Sequence, residues 1–384
     1  MAEFQLTAAE QEYAEQVRET ARLHLAPLAG QSGNRVSRPL LAAMGELGLL
    51  RGLFGGHPDE PPRAAAALQL CLLRESLSQV SGEAETALAV QGLGSYPILQ
   101  SGLPELAARW IPELISGQAV AAFALSEPGA GSDAAALTLS AGEDGTGWRL
   151  TGEKTWISNA PDADIYTVFA RTTPGAGARG VTAFAVAGDS PGLTGEPLEM
   201  ISPHPIGRLT FDGVGVSPDD VLGKPDAGFA VAMRTLDLFR PSVGAFAVGM
   251  AQAALDATIS HVRDRQAFGG PLARQQAVAH KIADMATDLE AARLLVYTAA
   301  AGYDAGAEPE RQSRRSAMAK LYATEAAQRI VDGCVQLHGA RGLQRGHLLE
   351  HLYRDVRSLR IYEGASEIQR SIIARDLIGR EATR

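Results

Sequence analysis

Residues 123–133 read FALSEPGAGSD, a glycine-rich loop between an apolar run and an acidic residue. Its core, Gly129 to Ala134, matches the GxGxxA pattern, which holds a dinucleotide when a strand precedes it and a helix follows it. The next residues, AALTLSA (135–141), alternate between apolar and polar side chains, which predicts a strand. A Rossmann crossover is therefore not expected. Two interpretations remain: exposed amides that approach a phosphate or a ring edge, or a simple turn.

The residues on either side of this loop have different periodicities. Residues 1–120 show helical spacing broken by FGGHPDEPP and SGLPE, and their length allows about five helices. Residues 121–222 carry alternating segments separated by turn signals, and residues 228–384 return to long helical runs. The sequence predicts a mainly α protein with three parts: an N-terminal helical domain (1–120), a central antiparallel β-barrel or sheet (121–222) and a C-terminal four-helix bundle (228–384).

Composition excludes several classes of function. The 384 residues carry a formal net charge of −9, which argues against nucleic-acid or anionic-membrane partners, and no apolar run reaches about eighteen residues. The two cysteines, Cys71 and Cys334, are far apart, so neither a disulfide framework nor a metal site is expected. The N-terminus has acidic residues and a capping box, Thr7 with Glu10, and resembles no targeting signal. A cytoplasmic location is expected.

Two further motifs carry side chains suited to a site. In EKTWISNA (153–160), Trp156 suits contact with an aromatic ligand and Ser158 suits its polar edge, although a strand tryptophan packing the sheet is the simpler interpretation. In RIYEGASEIQR (360–370), Glu363 stands just before a predicted helix. A carboxylate partly buried beside aromatic residues has a raised pKa and suits a general base; an ordinary acidic residue at a helix N-terminus is the alternative.

Four segments in this order, FALSEPGAGSD, EKTWISNA, DRQAFGGPL (264–272) and LRIYEGASEIQR (359–370), resemble those of the acyl-CoA dehydrogenase family. QLHGARG (336–342) stands where that family has a further flavin-contacting turn. The resemblance covers essentially the whole chain and implies an FAD-dependent enzyme. It also implies that FAD binds between the sheet domain and the C-terminal bundle.

The resemblance assigns roles to individual residues. Glu363 is the implied catalytic base; some relatives place the base on an earlier helix, at a position that is Phe239 here, and phenylalanine takes no proton. The implied FAD contacts are Phe123, Leu125, Ser126, Gly131, Ser132, Trp156, Ile157, Ser158, Ala365 and Glu367 and, from a neighbouring subunit, Arg265, Phe268, Gln276, Gln336, Gly339 and Ala340. The implied substrate contacts are Ser132, Asp237, Arg240 and Gly364; an i,i+3 pair on a helix surface is the alternative for Asp237 and Arg240.

The implied reaction is α,β-dehydrogenation of an acyl-CoA thioester. Glu363 takes the α-proton while a hydride passes from Cβ to flavin N5, and trans-2-enoyl-CoA results. The implied partners are an electron-transfer flavoprotein and further copies of the chain, as a homotetramer or homodimer. Alternatives are an acyl-CoA oxidase and a non-catalytic scaffold. Ala340 and the segment at 201–208 depart from the family pattern, and acyl chain length cannot be deduced.

Overall fold

The computed structural model describes residues 5–56 and 60–379. Ten α-helices lie within these residues, and five of them precede residue 120, as predicted. Their bounds are α1 (Ala8–Thr20), α2 (Arg38–Glu46), α3 (Ala67–Ser78), α4 (Gly82–Ser101), α5 (Pro104–Ser116), α6 (Gly228–Asp264), α7 (Gln276–Asp304), α8 (Pro309–His338), α9 (Leu348–Val356) and α10 (Ser366–Ile378).

The central strands form one seven-stranded sheet. Its strands are β3 (Ala121–Ala124), β4 (Ser140–Glu143), β5 (Trp148–Ser158), β6 (Ile165–Arg171), β7 (Val181–Ala187), β8 (Leu193–Pro197) and β9 (Ile206–Val216). The strand order is β3-β6-β4-β5-β9-β8, and β7 pairs with β6. Two short antiparallel pairs lie outside this sheet: β1 (Phe54–Gly55) with β2 (Arg63–Ala64), and β10 (Gln266–Ala267) with β11 (Gly270–Pro271).

The helix and strand boundaries follow from local chemistry. Thr7 and Glu10 form the predicted capping box at the start of α1. At the end of α5, Gly117 adopts a left-handed conformation with φ of 76°, which glycine tolerates without strain. In the sheet, β5 and β9 alternate buried and exposed residues, whereas β6 and β7 are buried almost throughout. Covered strands of this kind carry near-continuous apolar sequence.

Contacts within the chain define two compact units. Unit 1 contains Met1–Arg22, Ala66–Glu85 and Asp237–Arg384, which include α1, α3 and α7 to α10. Unit 2 contains Leu23–Ala65 and Thr86–Leu236, which include α2, α5 and the seven-stranded sheet. Helices α4 and α6 each contribute residues to both units. The division into domains 1–120, 121–222 and 228–384 stays a prediction.

The predicted fold class is confirmed, with differences in detail. The sheet is not purely antiparallel, because β3 pairs in parallel with β6 and β4 meets β6 through one parallel bridge. Strands β3 and β8 and helix α9 were not predicted as separate elements. Helix α6 is long and apolar enough to cross a membrane, although the sequence has no uninterrupted run of that length. Of its most apolar window, 72% is buried, as in the core helix of a globular protein.

Gly94 lets α4 approach β3 closely inside unit 2. A Cβ atom at Gly94 would lie 2.6 Å from both the Cβ of Ala121 and the backbone nitrogen of Ala122. We therefore expect Gly94→Ala to lower the free energy of unfolding by about 1–3 kcal/mol, despite the better helix propensity of alanine. Urea unfolding measures this difference. Gly142→Ala, where a Cβ meets no atom within 4 Å, is the control, and equal stability of both variants would contradict the packing argument.

Candidate functional site

The glycine-rich segment at residues 125–139, the glycine loop, is closed by one buried carboxylate. Glu127 accepts hydrogen bonds from the backbone nitrogens of Thr138 (2.6 Å) and Leu139 (2.9 Å) and from the Thr138 hydroxyl. On the other side, Lys154 Nζ of β5 donates to Glu127 Oε1 at 2.8 Å and to the carbonyl of Leu125 at 2.9 Å. Both ends of the loop are thereby tied to the same ion pair.

Burial shapes the charges of this ion pair. The side chain of Lys154 is fully buried, and burial lowers the pKa of its ammonium to about 8, although Glu127 pulls that pKa upward. Burial raises the pKa of Glu127, but the nearby ammonium and the backbone amides outweigh it and the net pKa is lowered. Both groups are therefore charged at neutral pH, and the loop is held by a desolvated ion pair.

Trp156 and Ser158 lie on β5 beside the glycine loop. The backbone nitrogen of Thr155 donates to the carbonyl of Ser126 at 3.0 Å, which joins the two predicted segments. The pairing of β5 with β9 shifts register between Lys154 and Ile157, and within this irregularity Trp156 has φ of 55° and is 51% exposed. A positive φ is costly for a bulky residue. The bulge therefore turns an aromatic ring outward instead of packing it in the sheet, so the simpler interpretation of Trp156 is wrong.

His204, which sequence reasoning missed, contacts Ser158. The Ser158 hydroxyl lies 2.8 Å from His204 Nε2, and the nitrogen of Asn159 donates to the carbonyl of Pro205 at 2.7 Å. Burial lowers the pKa of His204 to about 4, so the imidazole is neutral at physiological pH. The only available signal was the departure of residues 201–208 from the family pattern.

Glu363 occupies a strained turn in unit 1. It has φ of 50°, the following Gly364 has φ of 94°, and α10 begins two residues later at Ser366. The residue as a whole is partly exposed, but its carboxylate oxygen Oε2 is buried and has no hydrogen-bond partner within the described residues. The carbonyl of Gly364 accepts from Lys320 Nζ at 2.7 Å and from Gln369 Nε2 at 2.9 Å.

Three cations act on the Glu363 carboxylate. Burial raises its pKa, and the positive charges of Arg74, Lys320 and Arg240 oppose that rise without cancelling it. The predicted upward shift is confirmed, whereas the cations were not predicted. Phe239, at the alternative position for a base, is fully buried and apolar. Glu363 therefore combines a buried carboxylate oxygen that has no hydrogen-bond partner in the described part of the chain with a raised pKa, which suits proton transfer.

Asp237 and Arg240 form the i,i+3 ion pair that was the alternative to a substrate-binding role. Arg240 Nη1 lies 2.5 Å from Asp237 Oδ1. The pair is not a simple surface pair, because Arg240 is only 7% exposed and its Nε is buried without a partner within the described residues. Its substrate role stays a prediction.

A cavity of about 610 Å³ in unit 1 is lined by one of the remaining predicted residues, Arg265, and by two unpredicted residues of the QLHGARG motif. Arg265 lines it together with His338 and Arg341 of the QLHGARG turn. His261 and His347, which were not predicted, also line it, and the His261 and His338 rings stack with centroids 4.1 Å apart. The structure therefore brings Arg265 and this turn together.

Other predicted FAD contacts lie outside the lining of this cavity. Phe268, at the tip of the β10–β11 hairpin, is 89% exposed with φ of 52°. Gln276 and Glu367 are exposed in the first turns of α7 and α10. Within the QLHGARG turn, Gln336 and Ala340 are also exposed.

Each unit carries residues of types that suit part of a flavin dinucleotide. In unit 2, the outward ring of Trp156 is suited to a planar ligand, and exposed Gly131 and Ser132 leave backbone amides accessible. In unit 1, Arg265 and Arg341 present positive charge at the cavity, as a diphosphate requires.

Comparisons with known proteins define the class of protein. Family models match in succession: the acyl-CoA dehydrogenase N-terminal domain at residues 7–118, the middle domain at 122–214 and the C-terminal domain at 226–378. Cyclohexane-1-carbonyl-CoA dehydrogenase of Geobacter metallireducens is 35% identical, over 95% of this chain and 96% of its own.

Solved structures agree with these matches. Butyryl-CoA dehydrogenase from Megasphaera elsdenii matches with a TM-score of 0.91 at 31% identity, over 98% of this chain and 100% of its own. A structure of PigA with FAD and proline has a TM-score of 0.91 at 26% identity, over 99% of this chain and 100% of its own. The chain belongs to the acyl-CoA dehydrogenase family and is an FAD-dependent oxidoreductase that acts on acyl-CoA.

Removal of Glu127 tests the closure of the glycine loop. We expect Glu127→Ala to lower the free energy of unfolding by about 3–5 kcal/mol, because the Lys154 ammonium would remain buried without its carboxylate. Combining Glu127→Ala with Lys154→Met should restore part of the lost free energy of unfolding. Urea unfolding measures both changes. Glu153→Ala, at an exposed position on the same strand, is the control. A loss no larger than that of the control would rule out this role for Glu127.

Proposed function

We propose that the protein removes two hydrogens from an acyl-CoA thioester and forms trans-2-enoyl-CoA, with Glu363 as the base for the α-proton. The observation that carries this proposal is the buried Oε2 of Glu363, an acceptor without a partner in the described part of the chain. A raised pKa accompanies this buried oxygen. A carboxylate that already served a structural ion pair would have little capacity to accept a proton.

The proposed reaction needs stabilisation of charge on the thioester carbonyl. The α-proton of a thioester is weakly acidic, so negative charge develops on the carbonyl oxygen as the proton leaves. The backbone N–H of Glu363 is the proposed donor to that oxygen, which places acid–base and oxyanion functions on one residue. When bound, FAD supplies the acceptor for the hydride that leaves Cβ.

Each unit carries residues that we propose contact FAD. In unit 2 the proposed contacts come from the start of the glycine loop and from β5, with Ser126 at the pyrimidine edge and Ser158 near N5. Arg265, Phe268 and the QLHGARG turn would contact the FAD of a neighbouring subunit in a homotetramer or homodimer. The exposure of Phe268 and the two arginines, Arg265 and Arg341, that line the cavity support this assignment.

The electron acceptor and the acyl group complete the proposal. We propose an electron-transfer flavoprotein as acceptor, a cytoplasmic location and a role in fatty acid metabolism. An oxidase that uses oxygen is the alternative, and a non-catalytic scaffold is disfavoured by Glu363. The names of the relatives include cyclic and short straight acyl groups, and PigA was solved with proline, so the family likeness leaves the acyl group open.

An anaerobic titration tests the proposed reaction. Acyl-CoAs of graded chain length, with cyclic and branched members, are added to the FAD-loaded protein, and absorbance of the oxidised flavin is followed. We expect one class of acyl-CoA to bleach the flavin. Glu363→Gln should lower the bleaching rate at least about a hundredfold, the size of a lost general base. Bound FAD should be retained in this variant.

Glu310→Gln, at an exposed position in the first turn of α8, is the matched control and should bleach at the wild-type rate. Equal rates for Glu363→Gln and wild type would exclude Glu363 as the base. Bound FAD that none of the acyl-CoAs bleaches would contradict the proposed reaction.

A further inference from the structure

Lys320 of α8 is a buried cation beside the proposed base. Its side chain is 0% exposed, and its ammonium donates to the carbonyl of Gly364, the residue after Glu363. Through space, Lys320 and Glu363 each favour the charged form of the other. Sequence reasoning assigned no role to Lys320.

The ammonium is not the only donor to this turn. The Gly364 carbonyl also accepts from Gln369 Nε2, whose amide lies 3.4 Å from the carbonyl of Glu363 as well. Burial of Lys320 lowers its pKa to about 8, which means that the fold disfavours its charged form. Because the neutral Gln369 amide donates to the same carbonyl, the buried charge of Lys320 contributes little net stability. Its presence therefore points to function.

The other cations near Glu363 are already paired with carboxylates. Arg74 of α3 donates to Glu85 of α4 and to the Ser242 hydroxyl, and Arg240 of α6 pairs with Asp237. Lys320, by contrast, has no salt bridge within the described residues; Glu325 and Glu367 act on it only through space.

The neighbouring phenol of Tyr362 adds no charge. Burial raises the pKa of this phenol well above its ordinary value. The charges of Glu85, Arg74, Glu363 and Asp355 of α9 also act on it through space. Lys320 is therefore the least neutralised positive charge that acts on Glu363.

We propose that Lys320 is a positioning residue for the base: its ammonium holds the Gly364 carbonyl together with Gln369 and, alongside Arg74 and Arg240, supplies positive charge that favours the ionised Glu363 carboxylate. This proposal rests on the proposed function, because it assumes that Glu363 must be ionised to take the α-proton. It assigns the orientation of the turn jointly to Lys320 and Gln369, and to Lys320 the part of the positive charge on Glu363 that no carboxylate pairs within the described residues.

The expected pH dependence follows from the sign of each interaction. Without Lys320, the pKa of Glu363 should rise further, so the acid limb of the kcat/KM profile should move upward by about one pH unit. For stability, the pKa of Lys320 in the fold lies below its ordinary value of 10.5. Between pH 10.5 and about 8, Lys320 is protonated in the unfolded chain but still neutral in the fold. The free energy of unfolding therefore decreases as pH falls through this range, and it does not recover below pH 8. Lys320→Met should therefore be at least as stable as wild type at pH 7.

The experiment compares wild type with Lys320→Met and Lys320→Gln as FAD-loaded proteins. The first two readouts are the pH profile of kcat/KM and urea unfolding at pH 7. The third is a pH titration of the Glu363 carboxyl by infrared difference spectroscopy, which needs no turnover and uses Glu363→Gln as the reference. Lys281→Met, at an exposed position of α7, is the control. We expect both Lys320 variants to fold and to show the upward shift in both titrations, with no shift in the control.

Each other outcome overturns the proposal. A wild-type profile in Lys320→Gln alone would show that a neutral donor suffices. Unchanged titrations in both variants would show that the charge does not act on Glu363. Loss of folding in both variants would make Lys320 a structural residue. If wild type bleaches with no acyl-CoA, the proposed function fails, while the infrared titration still decides the effect of Lys320 on Glu363.

Discussion

A buried lysine ammonium that donates to a backbone carbonyl fixes each of the two loops that carry the proposed chemistry. Lys154 holds the carbonyl of Leu125 in unit 2, and Lys320 holds the carbonyl of Gly364 in unit 1. Both side chains are fully buried, and burial lowers the pKa of each to about 8. An ammonium in such surroundings needs its hydrogen bonds, since an unsatisfied buried charge costs several kcal/mol. Movement of either loop would therefore remove a hydrogen bond from an ammonium that stays buried.

The carboxylates beside these lysines differ in the number of their hydrogen bonds. Glu127 accepts bonds from Lys154, from two backbone nitrogens and from a hydroxyl, and its pKa is lowered. Oε2 of Glu363 has none within the described residues, and the pKa of Glu363 is raised. A buried lysine near a glutamate thus has two outcomes: a direct ion pair at Glu127, and a through-space interaction at Glu363. A saturated carboxylate closes a loop, whereas one with unused acceptor capacity is available for a proton.

Local sequence was sufficient for the parts of the protein that depend on local chemistry. The change of periodicity near residue 120 predicted helices followed by strands. A Rossmann crossover was correctly excluded, although the predicted strand at 135–141 was placed too early: a short 3-10 helix covers Ala134–Ala136 and β4 begins at Ser140. The turn around Glu363 and its raised pKa were also predicted. The parallel pairing of β3 with β6 was not, because it joins residues about forty positions apart and leaves no periodic signal. Lys320, Arg74 and His204 were missed for the same reason: their partners lie in distant parts of the chain.

Backbone strain supports the grouping of the predicted site residues. Five non-glycine residues within the described chain have positive φ, and three of them, Trp156, Phe268 and Glu363, had been assigned to the site. Such conformations cost roughly 1–3 kcal/mol each and persist where the surrounding structure over-determines them. For Glu363 the constraint is the pair of donors to the Gly364 carbonyl, and for Trp156 it is the bulge in β5. Phe268 is 89% exposed, so its own chain offers little packing to hold the ring. A strained aromatic residue that its own chain leaves exposed is suited to contact another molecule. This supports the proposal that Phe268 contacts the FAD of a neighbouring subunit.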